Sequence, residues 1–124
     1  MLLATILAAG LTAWPAQILQ DPINASPGRL ARHPDRYERQ RVRVTGTLVE
    51  VKRHGQCQLN VAGRSTAAAV LCARPPACAV GTAIVVDGIF HRLVVIRGQR
   101  YYNQIVASDI TCAEANQPRS EPPG

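Results

Sequence analysis

The sequence predicts an all-β domain, a five-stranded OB-type barrel with a short N-terminal helix, and three observations carry that expectation. From Arg41 onward apolar residues recur at every second position, the period of a strand with one face on a core and the other in water. Five such segments follow one another, separated by glycine-containing or basic turns, and a proline pair interrupts the chain between the third and the fourth. A length of 124 residues gives room for one modest core and not for a second domain. A sandwich would need about seven strands, whereas five strands with a connector after the third are the element pattern of a partly open OB barrel.

The first segment, residues 1–16, has an apolar run from Leu2 to Ala13 that is as long as the hydrophobic stretch of a signal peptide and too short to cross a bilayer. It is expected to be removed after Ala13 or Ala16. No cysteine follows the run, so attachment to lipid through an N-terminal cysteine is not expected. Residues 17–25 are polar and turn-rich, the composition of a linker, and the domain is expected over residues 26–113. The tail 114–124, rich in proline and polar residues, is expected to be disordered.

Within the domain, Ser26 before Pro27 is a helix cap followed by a residue pre-set for the first turn, which predicts a short helix from Pro27 to about Arg32, limited by Pro34. The first strand begins at Arg41, where Val42, Val44, Gly46 and Leu48 alternate with Arg43, Thr45 and Thr47, and Gly46 marks the place where a strongly coiled barrel strand bends. A basic turn, Lys52 to Gly55, leads to a second strand at about Gln56 to Val61. Gly63-Arg64 turns the chain into a third, Ser65 to Cys72. The connector Ala73 to Ala79 holds Pro75 and Pro76 and cannot continue a strand. Alternation resumes over Thr82 to Val95 around Gly88, and a turn at Arg97-Gly98-Gln99-Arg100 opens the last strand, Tyr101 to Thr111.

Formal charge is +6, from 14 basic and 8 acidic residues, which favours anionic partners. All the basic residues but Lys52 are arginines, a bias that a GC-rich coding sequence produces without selection for binding, so the excess alone identifies no ligand. Four cysteines, Cys57, Cys72, Cys78 and Cys112, are an even number in a small chain with an export signal, the usage of disulfide staples in an oxidising compartment, here periplasmic or secreted. In a barrel of this order the start of the second strand and the ends of the third and fifth meet at one end, which favours Cys57 with Cys72 and Cys78 with Cys112. Cys72 with Cys78 across the proline pair remains open. Zinc is disfavoured, because no two cysteines stand two to four residues apart.

The runs HPDRYERQRVRVTGTLVEV, VGTAIVVDGIFHRL and RYYNQIVASDI resemble a group of bacterial exported OB-fold proteins, in which a helix ends in a Pro-x-x-Tyr step before the first strand. The resemblance covers about Ser26 to Cys112 and implies a fold rather than a ligand. In its barrel core the chain is also similar to the periplasmic haem chaperone of cytochrome c maturation. That family attaches haem through a histidine with a tyrosine four residues later, placed after the last strand. Here His33 and Tyr37 have the spacing but precede the first strand, and no histidine follows the last one. His33 is therefore read as a helix-end residue and Tyr37 as a packing residue.

In an OB barrel the loop after the first strand and the loop between the last two flank the ligand face, which takes oligonucleotides or oligosaccharides. Both loops are basic here. Lys52, Arg53 and His54 occupy the first; Arg97 and Arg100, followed by Tyr101 and Tyr102, occupy the second. Cations that track phosphates beside aromatic faces that stack bases are what a single-strand binder requires. Apart from these tyrosines the domain has only Tyr37 and Phe90 as aromatics, few for a stacking platform. There is no nucleophile elbow, phosphate-cradling loop or zinc-protease motif, and His54 and His91 would meet without a carboxylate if the first and fourth strands pair. The sequence thus predicts a non-enzymatic exported binding module without cofactor or metal, for an anionic ligand such as single-stranded nucleic acid or an oligosaccharide. The rivals are a structural subunit that contacts another envelope protein and a haem-handling chaperone.

Overall fold

The computed structural model describes residues 21–112, so the expected signal peptide and the tail 114–124 lie outside the described residues. Ile23–Asn24 forms a short strand β1, followed by helices α1 (Pro27–Arg32) and α2 (Pro34–Tyr37) and five long strands: β2 (Arg41–Lys52), β3 (Gln58–Ala62), β4 (Ala67–Leu71), β5 (Ala83–Ile96) and β6 (Gln99–Cys112). The sheet runs β1-β2-β3-β4-β6-β5, and β2 also pairs with β5, which closes five strands into a barrel. All ladders are antiparallel except β4 with β6 and β1 with β2.

Alternation fixes what the barrel contains. Val42, Val44, Leu48, Leu59, Val61, Val70, Ile84, Val86, Phe90 and Ile105 point inward and are fully buried. β2 serves two partners by bending: residues 41–47 pair with β5 and residues 47–52 with β3. Gly46 sits at the bend, where a Cβ would lie 2.4 Å from the Ala62 carbonyl oxygen. Only a residue without a side chain lets the two backbones approach so closely.

Ser26 accepts a hydrogen bond from the Arg29 amide at 3.1 Å and caps α1, whose Leu30 plugs the barrel end. Pro34 does not simply stop the helix but opens a second one, because proline suits a first helical turn. Tyr37 is buried in the core, and its hydroxyl accepts from Arg29 Nε at 3.1 Å, which ties α2 to α1.

The segment read as a linker differs from expectation. Ile23 and Asn24 pair with Val42 and Arg43, and the Ala25 amide donates to the Arg43 carbonyl at 3.1 Å. Two residues are too short to show a period, yet they satisfy the edge of β2 that β5 leaves open. At the other end of the barrel the disulfides Cys57–Cys72 and Cys78–Cys112 fix the loop after β2 and the Pro-Pro connector to the ends of β4 and β6.

Candidate ligand face

The ladder registers define which side chains share the outer face of β3, β4, β6 and β5. Because paired residues point to the same side of a sheet, Glu50, Asn60, Ala69, Gln104 and His91 form one row across it, and Lys52, Gln58, Leu71, Val106 and Ile89 form the next. Tyr102 and Leu93 belong to the same face one step further along β6 and β5, followed by Arg100 and Val95. Their inward neighbours, Leu59, Val70, Ile105 and Phe90, are core residues, which fixes the outward direction of these rows.

Lys52 stands at one end of this face, and the exposed Arg53 and His54 continue from it into the loop. Gly55 turns the loop with φ +71°, Gln56 Nε2 donates to the Cys72 carbonyl at 3.2 Å, and the Cys57–Cys72 disulfide anchors the return. The loop is thus held against the end of β4. Val51, Lys52, Arg53 and His54 line a shallow groove of about 420 Å³.

Arg97 and Arg100 lie at the opposite end of β4, since β6 runs parallel to β4 with Ala69 beside Gln104. The turn is tighter than the sequence suggested. Arg97 and Gly98 alone make it, with φ of +52° and +81°, the mirror-image geometry that matches strand twist. Gln99 and Arg100 are already paired with Ile96 and Val95, so Arg100 is a strand residue. Tyr101 and Tyr102 point to opposite sides of β6: Tyr102 is 60% exposed on the ligand face, and Tyr101 is half-buried on the other. The two do not form a joint stacking platform.

None of Lys52, Arg53, Arg97 and Arg100 makes an ion pair among the described residues. By contrast Arg92 pairs with Asp35, Arg43 with Asp87 and Arg39 with Glu38. His54 and His91 do not meet. β2 does pair with β5, but the antiparallel register places Arg41 opposite Ile89, which sends His54 and His91 to opposite ends of β2.

Sequence reasoning missed the middle of the face. Asn60 Nδ2 donates to Glu50 Oε1 at 2.7 Å. Gln104 is buried; its Nε2 donates to the Tyr102 carbonyl at 3.0 Å, while its Oε1 has no partner among the described residues. Leu93, Val95 and Val106 are exposed on the same side. Their exposure follows from register and not from residue type, because Leu93 and Val95 share the outward side with Tyr102 and Arg100, and Val106 shares it with Ile89.

A closed barrel of five strands, ordered so that the third and fifth run parallel, is matched by solved structures of low sequence identity. A chain described as an aspartyl-tRNA synthetase from Leishmania major Friedlin superposes with a TM-score of 0.57 at 9% identity, over 75% of this chain and 21% of that one. The fold is an OB barrel. An OBody bound to hen egg-white lysozyme matches the OB barrel with a TM-score of 0.51 at 19% identity, over 63% of this chain and 85% of that one. Asparaginyl-tRNA synthetase from Pyrococcus horikoshii matches it at 0.50 and 12% identity, over 75% of this chain and 23% of that one. The OB barrel spans about a fifth of either synthetase chain. No protein-family model and no curated protein matches the sequence.

Proposed function

We propose that this protein is a non-enzymatic OB-fold binding module that acts in an oxidising compartment outside the cytoplasm and holds an extended anionic ligand on the outer face of β3, β4, β6 and β5. One observation carries the proposal: that face has two cations at each end, Lys52 with Arg53 and Arg97 with Arg100, and none of the four has a carboxylate partner among the described residues. A ligand laid from Lys52 to Arg100 passes Gln58 and Asn60, whose side-chain amides lie along the way. Two disulfides among four cysteines support the compartment, since such bonds persist where thiols are not kept reduced.

The test is binding of oligothymidylate and of a sulfated oligosaccharide as salt is raised. Engagement of four cations gives log K a slope of about −3 against log salt for a single strand, and Lys52→Glu with Arg53→Glu flattens it. A salt-independent affinity, or none at low salt, refutes the proposal.

A further inference from the structure

We infer that the anionic ligand of this face is an acidic polypeptide strand of another protein, seated on the free part of the β5–β6 hairpin. The inference rests on the anionic-ligand reading above and names the class of ligand.

The hairpin leaves the barrel before it ends. β5 loses β2 as a neighbour after Ile89, and β4 accompanies β6 only from Gln104 to Val106. Residues 93–102 therefore form a two-stranded ribbon, an element that is marginal without a second layer. On its ligand side Leu93, Val95 and Tyr102 are 47%, 56% and 60% exposed, and Val106 extends the strip toward the barrel. The other side carries Val94, Ile96 and Tyr101. A polar ribbon would be expected if water were its permanent neighbour, and aliphatic exposure of this extent marks a contact surface.

Two features select the occupant. Aliphatic side chains between the cations suit apolar side chains, whereas a nucleic acid calls for stacked aromatic faces and only Tyr102 offers one here. The outer edge of β6 from Gln99 to Tyr102 has no ladder partner among the described residues, which is the requirement for strand addition.

A second copy of this chain does not fit. Its partner surface would have to answer Arg97 and Arg100 with carboxylates, and of the six among the described residues Asp35, Glu38, Glu50, Asp87 and Asp109 are already engaged by their own chain, which leaves Asp21 alone against two cations. Self-association would bring like charges together. The partner is therefore a different protein that presents an extended segment of alternating acidic and aliphatic residues.

The experiment titrates the oxidised protein with a short synthetic peptide of alternating glutamate and valine, a lysine–valine control, oligothymidylate and a heparin oligosaccharide, and follows amide exchange of residues 99–102. The inference expects the glutamate–valine peptide to bind most tightly and to slow exchange along that edge. Leu93→Ser with Val95→Ser, or Tyr102→Ser alone, should weaken it about tenfold or more, and the exposure of all three positions keeps the fold intact. Preference for oligothymidylate or heparin, sensitive to Lys52→Glu and Arg53→Glu but not to the hairpin variants, overturns the inference and leaves the anionic reading standing. If no anion binds at low salt, both fall.

Discussion

Arg43 and Asp87 face each other across the β2–β5 ladder, with Arg43 Nε 2.9 Å from Oδ1 and Nη2 3.4 Å from Oδ2 of the carboxylate. The pair lies on the outer surface of the barrel, and Asp109 of β6 stands directly beyond Asp87 in the same row. Without the guanidinium two carboxylates would adjoin with one of them largely buried. Arg43→Met should therefore destabilise the fold by about 1–3 kcal/mol, as expected when a buried charged group loses its partner. Adding Asp87→Asn should recover part of the loss, because the orphaned charge is then removed. A double-mutant cycle by denaturant unfolding measures that coupling.

Gly46 and Gly88 each stand where a side chain has no room. A Cβ at Gly88 would lie 2.3 Å from the Val106 carbonyl oxygen, a backbone atom that cannot move aside without disturbing the β5–β6 ladder beside the bulge at Ser108. Gly46→Ala and Gly88→Ala should each cost about 1–3 kcal/mol, the usual cost of overpacking. Equal melting temperatures for variant and parent would refute the close approach at either site.

The two disulfides close loops with sequence separations of 15 and 34. Loop-closure entropy assigns about 3 kcal/mol to the shorter one and roughly 0.7 kcal/mol more to the longer. Replacing Cys78 and Cys112 by serine should therefore lower the urea midpoint more than replacing Cys57 and Cys72. The Cys57 pair should instead dominate ligand binding, since it anchors the Lys52–His54 loop. Urea titrations of the two serine pairs, set beside their affinities for an anionic probe, check both halves of the contrast.

The barrel was legible in the sequence because its strands report themselves through alternation: Val42, Val44 and Leu48 in β2, and Ile84, Val86 and Phe90 in β5, are core residues as their spacing implies. The favoured cysteine pairing followed from strand order and is the one observed. What could not be read depends on where ladders begin and end. Ile23 and Asn24 look like linker until β2 offers them an edge. Arg100 looks like turn until the geometry of Arg97 and Gly98 assigns the turn to two residues. The basic ends of the ligand face were visible as residue types, while its aliphatic strip was hidden, because β5 is apolar at consecutive positions from Leu93 to Ile96 and only the register shows that Leu93 and Val95 take the outward side.

Export has its own prediction, independent of any ligand. Expression of the full chain with a route to the periplasm should give a mature protein that lacks the first 13 to 16 residues, weighs four hydrogens less than the reduced chain and has no free thiol. The apolar run Leu2 to Ala13 and the paired cysteines carry this expectation separately, one through targeting and the other through redox chemistry. Intact mass with thiol titration reads both at once. An unprocessed chain with four free thiols, folded to the same barrel, would move the protein to a reducing compartment, and intracellular single-stranded nucleic acid would then take the place of an envelope protein as the anion to test first.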